Sequence, residues 1–451
     1  MNYFVKALSS GGEGVAIPAP EEGEIAGGEE SSGRSRKRVV FVAGTAPGDL
    51  VDVSEVRRVR GVDRAVTWRL VQAGPHRVDP GCVHAAACGG CPWMQVAYEA
   101  QVAAKQDLLE RALRQAHLLD HLDGSSPVVQ PATEVLGYRR RARLFWAWQS
   151  GRITLGFHAA SSMEIVDATE PPCPVLEASL AGVLKPLADL LAGIVQQEAS
   201  WDRGQVFLLA GVDSRVHVAF QGGREHARAL AWTSSDETLF RGFLEDMDQV
   251  VGVGLWTGRG GWRWLGQRDI LVDETSGLRG NASGFAQANR SMDDLVRAQA
   301  VRLAGDGGSL LELYAGSGNL TRSLARAGRR IVAVESDPAA VARLADSAGP
   351  WPGRIKTVRL DALRFVHKAL ARKEHFDLVV VDPPRKGLGK LAHLLPGLKP
   401  RCIVMVSCDP MTASRDLKVL ADAGYRLSSI QGFDTMPQTS HFELVALAER
   451  L

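Results

Sequence analysis

Residues 310–321, which read LLELYAGSGNLT, pass from an apolar segment through two glycines into the first residues of a predicted helix. Glycine at such a turn lets the backbone approach a bound ligand closely. The next apolar segment, IVAVES, contains Glu335, whose carboxylate can accept hydrogen bonds from both hydroxyls of a ribose. This pattern predicts a nucleoside-binding half site, although a close-packed turn without a ligand would show the same residues.

The glycine spacing indicates which nucleoside to expect. A turn that binds NAD normally carries a third glycine, whereas Gly316 and Gly318 are followed here by Asn319 and Leu320. We therefore predict S-adenosylmethionine as the cofactor and count both glycines among its binding residues.

The sequence after about residue 285 repeats the same rhythm of apolar strands and helices. Strands written as continuous apolar runs between helices are typical of a parallel sheet that is covered on both faces. The predicted fold class of this part is therefore a Rossmann-like α/β domain.

A chain of 451 residues is long enough for two to four domains. Valine-rich strands broken by glycine and proline predict a small N-terminal β-barrel, and a strand-rich middle part predicts an α+β domain. We place the barrel at 1–73, the central domain at 74–92 and 126–278, a helical segment that packs on the last domain at 93–125, and the Rossmann-like domain at 279–451.

The composition, 45% hydrophobic and 23% charged with a net charge of +2, is that of a globular protein. We find neither a secretory signal nor an apolar run of membrane-spanning length, and therefore expect a cytoplasmic monomer without a membrane partner. Residues 31–78 are locally basic, which fits either a phosphate-binding surface or a solvated charged face. The acidic, glycine-rich stretch 21–33 is predicted to be a long hairpin loop.

Reactive side chains follow three further strands. The segment VVVDPPRKG (379–387) ends a strand at Asp382, and VMVSCDP (404–410) places the Cys408 thiol at the same sheet edge, just before a helix. We expect a lowered pKa for this thiol, whereas Cys402 within the apolar run fits a small buried side chain. In SHFELV (440–445), Glu443 on the face of His441 is predicted to have a raised pKa that suits proton transfer; a surface ion pair is the alternative.

Together, LELYAGSGNLT, DPPRKG, SCDP and H-x-E resemble the RNA uracil-C5 methyltransferase family, and most of all its branch that modifies bacterial 23S ribosomal RNA. The resemblance implies that Cys408 is the nucleophile and Glu443 the base that removes the C5 proton. It also implies a cofactor and uracil pocket lined by Gln287, Tyr314, Asn319, Glu335, Asp361 and Asp382. Asp409 stands where many members have Asn, and GFAQAN is less bulky than the usual motif, so details of substrate contact differ.

These groups suit the chemistry. Uracil C5 becomes nucleophilic only after a thiolate adds to C6, and the adduct must afterwards lose its C5 proton to a base. Asp382 is predicted to accept the uracil N3–H, which cytosine lacks. Cytosine-C5 methylation, which shares the thiol addition, and a non-catalytic RNA-folding factor on the same scaffold are the alternative functions.

Three cysteines, Cys82, Cys88 and Cys91, lie within ten residues, and Cys173 is the remaining cysteine outside the last domain. In a cytoplasmic protein this pattern favours a metal over disulfides, with zinc, free thiols and an iron–sulfur cluster all open. The family resemblance implies a 4Fe–4S cluster held by these four cysteines, with a structural or RNA-recognition role.

The predicted partner is RNA. The N-terminal strands resemble a TRAM domain, an OB-like barrel of RNA-modifying enzymes, and Arg139, Arg141 and Arg143 alternate onto one face of a strand, where we expect them to contact phosphates. Because the target base must leave its stack, a loop uridine is the expected substrate. We favour 23S ribosomal RNA, with transfer RNA as the alternative.

Overall fold

The structure is a computed structural model that describes residues 1–19, 39–122, 126–222, 233–258, 261–325, 329–347, 349, 351 and 353–451. The predicted hairpin loop at 21–33 lies outside these residues, as does the beginning of the basic stretch at 31–38.

The N-terminal strands close into a barrel in the order β1-β2-β3-β5-β4. Its strands are β1 Asn2–Leu8, β2 Gly14–Pro18, β3 Val40–Val42, β4 Leu50–Val59 and β5 Val62–Gln72. Alternate residues of these strands point inward, and the valines Val5, Val40 and Val51 fill the interior without exposure to solvent. A small closed barrel of this kind is consistent with the predicted OB-like domain.

A long helix, α1 Tyr98–Gln115, follows the cysteine-containing loop. Its buried Leu109 and Leu113 belong to the core on one face of the C-terminal sheet. The helix therefore links the barrel side of the molecule to the C-terminal sheet.

The middle of the chain forms a sheet that, over the described residues, has seven strands in the order β13-β12-β11-β10-β7-β8-β9. These strands are β7 Arg141–Gln149, β8 Arg152–His158, β9 Ile165–Asp167, β10 Arg203–Ala210, β11 Val216–Gly222, β12 Val250–Trp256 and β13 Trp262–Gly266. The helices are α2 Ala178–Ala181, α3 Leu184–Gln197 and α4 Ser234–Asp246. A short hairpin of β14 Ile270–Asp273 and β15 Leu278–Gly280 follows.

Residues Ala178–Gln197 are apolar and long enough to span a membrane by length and composition alone, contrary to the expectation that the chain has no such run. The buried residues of this stretch, among them Leu187, Leu191 and Ile194, pack in one core with the central strands. Packing against the central sheet therefore accounts for its apolar character.

The C-terminal sheet has the order β18-β17-β16-β19-β20-β22-β21-β6 over the described residues. Its strands are β6 Val128–Gln130, β16 Ser309–Leu313, β17 Arg330–Glu335, β18 Ile355–Arg359, β19 Leu378–Val381, β20 Cys402–Ser407, β21 Tyr425–Phe433 and β22 Glu443–Arg450. The helices are α5 Arg290–Ala304, α6 Asn319–Ala325, α7 Pro338–Ser347, α8 Ala362–Ala371, α9 Lys390–Leu394 and α10 Pro410–Asp422.

Strands β16 to β20 pair in parallel and are covered on both faces, as the continuous apolar runs predicted. Strand β6 corrects the predicted boundary at residue 126, because it pairs with β21 of this sheet instead of joining the central domain. The pairing satisfies backbone groups of β21 that would otherwise form a bare sheet edge.

Candidate active site

A cavity of about 1250 Å³ lies at the carboxyl ends of the parallel strands and extends to the central sheet. Most of the predicted site residues line it, namely Gln287, Tyr314, Gly316, Asn319, Glu335, Asp361, Asp382, Cys408 and Glu443, together with Arg139 and Arg141. Gly318 and Arg143 do not line it. The topology thus gathers residues that are more than 150 positions apart in the sequence around one space.

The glycine turn forms the cofactor end of the cavity. Gly316 has a φ of +56°, a conformation that favours glycine, and a Cβ atom there would meet open space. Its N–H donates a hydrogen bond of 3.0 Å to Oε2 of Glu335, while the Ser336 and Asp337 N–H groups donate to Oε1 of the same carboxylate. Glu335 is therefore fixed in orientation at the end of β17, where a ribose can reach it.

Gly318 was predicted to bind the cofactor, but it does not line the cavity. It is buried, has a φ of +96°, and donates its N–H to the carbonyl of Ala315. Its glycine character allows the chain to close the turn before α6, so it supports the cofactor site without lining it.

A cluster of buried acids lies beneath the turn, which sequence reasoning missed except for Asp382. The Asp293 carboxylate accepts a hydrogen bond from Asn319 Nδ2 at 2.9 Å and another from Arg140 Nη2 at 3.2 Å. Burial and the negative charge of Asp293 raise the pKa of Asp382 to about 7. Burial raises the pKa of Glu312 to about 8. One signal of this buried cluster was visible in the sequence, because Glu312 lies within the apolar run LLEL (310–313).

Cys408 lies at the end of β20, partly exposed to the cavity, and here the predicted lowering of its pKa is wrong. Burial first, and then the negative charge of Glu443, raise the pKa of the Cys408 thiol to about 11, against a smaller opposing effect of Arg385. The side chain of Asp409 caps α10 by accepting the Thr412 N–H at 2.8 Å. Burial and the neighbouring acids Glu443 and Asp382 thus outweigh the positive helix end that the prediction relied on.

Glu443 begins β22 and is buried beside the same cavity. Burial and the charges of Asp382 and Asp293 raise its pKa well above the ordinary value, which confirms the predicted direction. His441 shares the cavity, and burial together with the charge of Arg385 lowers the pKa of His441 to about 4. The carboxyl group is thus the better proton acceptor or donor of the two near neutral pH.

The loop between β21 and β22, which supplies Thr435 and Met436 to the cavity, is anchored by α1. Lys105 Nζ, fully buried, donates to Asp434 Oδ1 at 2.5 Å and to the Met436 carbonyl at 3.1 Å. A charge pair without solvent contact holds its partners in place because either charge alone would be costly to bury.

The predicted arginine row is only partly at the cavity. Arg139 precedes β7 and Arg141 begins it, and Arg141 Nε donates to the Gly284 carbonyl at 3.1 Å while its guanidinium lies 5.7 Å from the Phe285 ring centroid. Arg143 is exposed and does not line the cavity. Its guanidinium lies 5.4 Å from the centroid of the Phe145 ring. Arg140, which lies between Arg139 and Arg141 in the sequence, is buried. It donates hydrogen bonds to the Asp293 carboxylate and to the Gln287 carbonyl.

The four predicted cluster cysteines are free thiols, and the charges of Cys82, Cys88 and Cys173 all act on Cys91. Cys82, Cys91 and Cys173 pack against a buried cluster of Met94, Tyr138 and Val175. Burial, with the charges of Cys173 and Cys88, raises the pKa of Cys91 to about 12. The Gly90 N–H also donates to Cys88 Sγ at 3.4 Å. Among the described residues, however, no group of three or more His, Cys, Asp or Glu side chains has a geometry that could hold a metal ion.

Comparisons with known proteins show to which family the chain is similar. A family model described as tRNA (uracil-5-)-methyltransferase matches residues 271–451. The 23S rRNA (uracil(1939)-C(5))-methyltransferase RlmD of Halomonas elongata is 32% identical over 91% of this chain and 85% of its own length. The protein of the same name from Edwardsiella ictaluri is 31% identical, with 92% of both chains covered.

A solved structure supports the fold over the whole chain. The tRNA (uracil-54, C5)-methyltransferase of Pyrococcus abyssi, in complex with S-adenosyl-L-homocysteine, is 23% identical and superposes with a TM-score of 0.71 over 99% of this chain and 100% of its own. At this identity the superposition establishes the shared fold.

Fold and site together define the class, an S-adenosylmethionine-dependent methyltransferase with a thiol and a carboxyl group beside the cofactor turn. Since relatives more than 30% identical match nearly the whole length, the chain belongs to the RNA uracil-C5 methyltransferase family, as its motifs predicted.

Proposed function

We propose that this protein methylates C5 of a uridine in 23S ribosomal RNA and does so through a covalent bond between Cys408 and uracil C6. The observation that carries the mechanism is the single cavity shared by Cys408, Glu443, Asp382 and the glycine turn. The named 23S rRNA relatives support the choice of RNA. Transfer RNA is the second candidate, because the family model and the Pyrococcus structure carry that name.

The thiol must lose its proton as it attacks, since its pKa of about 11 leaves little thiolate at neutral pH. A carboxylate at Glu443 can accept that proton as the Cys408 sulfur bonds to C6 and electron density moves to C5. S-adenosylmethionine supplies the methyl group that C5 then takes. Once Glu443 has released that first proton to solvent, it removes the C5 proton, the C5–C6 double bond re-forms, and the Cys408–C6 bond breaks with the sulfur leaving as thiolate. The thiolate takes the second proton back from Glu443, so the cycle ends with the thiol, the carboxylate and one proton released.

The residues present fit the cofactor. Glu335, held by the Gly316 N–H, offers a carboxylate to the ribose, and the open space over Gly316 admits a ligand close to the backbone. Asp382, whose pKa of about 7 keeps both protonation states accessible, can accept the uracil N3–H when ionised. A cytosine ring lacks that proton, which favours uridine over the cytosine alternative.

The proposal is tested by incubating the protein with ribosomal RNA in which uridine is replaced by 5-fluorouridine. Fluorine cannot leave C5 as a proton does, so the wild type should form an adduct that survives denaturation, whereas Cys408→Ala should form none. Cys402→Ser, a change of a buried thiol on the same strand, is the matched control and should form the adduct normally. Methyl transfer by Cys408→Ala would refute the mechanism, and a wild type inactive on every RNA would favour the non-catalytic alternative.

We also propose a 4Fe–4S cluster at Cys82, Cys88, Cys91 and Cys173. The proximity of the four thiols, their effect on one another's pKa and the N–H donor at Cys88 support it. A bound cluster would supply a cross-link between the loop at 82–91 and the loop at 173. Anaerobically purified protein should contain about four iron atoms per chain, and Cys173→Ser should lose them while Cys402→Ser retains them. Zinc in place of iron would refute this assignment.

A further inference from the structure

One face of the central sheet borders the cavity and is covered only in part, by Ile270 and Val272 of β14 and by Ala282, against which Trp262 and Trp264 pack. Helices α3 and α4 and their core cover the face that carries Leu144, Val206 and Val218. The opposite face carries the alternate residues of the same strands. One row of cross-strand partners on this opposite face consists of Arg143, Phe207, Ala219, Gly254 and Trp264.

A second row on this face ends in two more tryptophans, because Trp256 of β12 pairs with Trp262 of β13. Trp262 and Trp264, two positions apart on the edge strand, lie with their ring centroids 5.8 Å apart and their planes within 23°. All three tryptophans line the cavity that holds Cys408, and all three retain partial exposure. An aromatic surface therefore continues outward from the catalytic site.

The position of the indoles is built into the sheet. A Cβ atom on Gly254 would come within 2.2 Å of the Trp264 ring, so only glycine lets this ring lie flat on β12. The His217 ring lies 4.7 Å from Trp264, and His217 Nδ1 accepts the N–H of Ala282 in the loop that carries Phe285 and Gln287 into the cavity. Glycine inside a strand is unfavourable unless something occupies the space, which here is the indole.

Cations accompany the aromatic rings. Arg268 and Arg141 line the same cavity, and Arg143 stands four strands away from Trp264 on the same face, a distance of about 19 Å at the usual strand spacing. Rings that can stack, interleaved with arginines along a groove, are the features that bind single-stranded nucleic acid. A protein partner would also bury the rings, but the arginine charges complement a phosphate backbone.

We propose that Trp262 and Trp264 form a stacking site for an unpaired nucleobase of the substrate RNA, next to the nucleotide that enters the catalytic cavity. This inference rests on the proposed function and adds to it a subsite at the end of the cavity that the central sheet lines. Stacking accepts any base, so the site fixes the path of the strand and leaves selection of uracil to the catalytic cavity.

The test compares RNA affinity of Trp262→Leu and Trp264→Leu with that of the wild type. Leucine keeps an apolar cover on the core beneath but cannot stack, and we expect RNA binding to weaken roughly 5- to 100-fold. The slope of affinity against salt concentration should not change, because no cation is lost. Binding of S-adenosylhomocysteine should also be unchanged, which separates this site from the cofactor pocket.

Two controls share the strand. Trp262→Phe retains a ring and should bind RNA nearly as well as the wild type. Arg263→Ala removes a side chain that points to the other face, where it pairs with Glu237, and should not weaken RNA binding beyond about twofold. Equal losses for Arg263→Ala and Trp264→Leu would refute the proposed orientation.

A scan of abasic positions in the RNA tests the contact without any change to the protein. Removing the stacked base should weaken binding to the wild type by the same factor as Trp264→Leu, and should add nothing in that variant. The inference is overturned if folded leucine variants bind RNA like the wild type, or if no abasic position couples to them. Methylation by the wild type in either case keeps the proposed function intact, so the two failures are distinguishable.

Discussion

The raised pKa of Cys408 and its link to Glu443 give the sharpest prediction. A thiol whose pKa is about 11, instead of the ordinary 9.0, is ionised to only about one part in a thousand at pH 8. An ordinary thiol would be ionised to about one part in ten under the same conditions. Alkylation of Cys408 by iodoacetamide, measured on the Cys408 peptide by mass spectrometry, should therefore be about 100-fold slower at pH 8 than that of an unperturbed thiol.

Glu443→Gln should speed the alkylation of Cys408 by iodoacetamide and slow the transfer of methyl groups to RNA. A neighbouring negative charge opposes ionisation of the thiol, so its removal should lower the midpoint of the alkylation profile from about 11 toward 9.0. Methyl transfer should fall by about 100- to 10,000-fold, the usual contribution of a general base. Unfolding would also expose the thiol and abolish methylation, so the variant must show the circular-dichroism spectrum and melting temperature of the wild type for this result to count.

Glu449→Gln is the matched control, because it makes the same change on the same strand, where Glu449 pairs with Cys402 at the far end of the sheet. Neither readout should move in this variant. A wild-type midpoint at or below pH 8.5, or an unchanged alkylation profile in Glu443→Gln, would contradict the electrostatic description of the site.

The remaining predictions concern the cofactor turn, the anchor of the catalytic loop and the RNA surface. Glu335→Gln should weaken S-adenosylhomocysteine binding by about tenfold or more in calorimetry, since a charged acceptor is lost from the ribose position; unchanged affinity would place the ribose elsewhere. Lys105→Met should destabilise the protein by about 3–5 kcal/mol in urea unfolding, because it leaves the Asp434 carboxylate buried and unpaired. Combining it with Asp434→Asn should recover much of that loss, and a double variant no more stable than the single one would argue against this origin. Arg143→Gln should reduce the salt dependence of RNA binding by about one unit of slope, and an unaltered slope would remove this arginine from the interface.

Local patterns were enough to place the chemistry on the fold. The glycine turn, Glu335, Cys408 and Glu443 each follow or begin an apolar strand, and parallel strands present their carboxyl ends at one edge of the sheet. The class of the sheet and the edge that carries these residues could therefore be predicted from residues that act within a few positions of each other. The family motifs added the roles of the thiol and the carboxyl group.

The pKa of Cys408 shows where local reasoning stops. The helix that follows the cysteine suggested a more acidic thiol, but its partners Glu443 and Asp382 come from two other strands, and burial depends on the packing of all three. The same holds for Asp293 and Arg140, which meet under the cofactor turn although 153 residues separate them. No local pattern encodes such a meeting.

By itself, then, the sequence determined the class of fold and the position of the glycine turn and of Cys408 at one edge of the sheet, because backbone periodicity and strand-end position are properties of short segments. Only the tertiary structure decided the protonation of the acids, the capture of β6 by the C-terminal sheet, and the tryptophan surface beside the cavity. Each of these depends on which faces and edges of distant elements come together, and that is set by the burial of the whole chain.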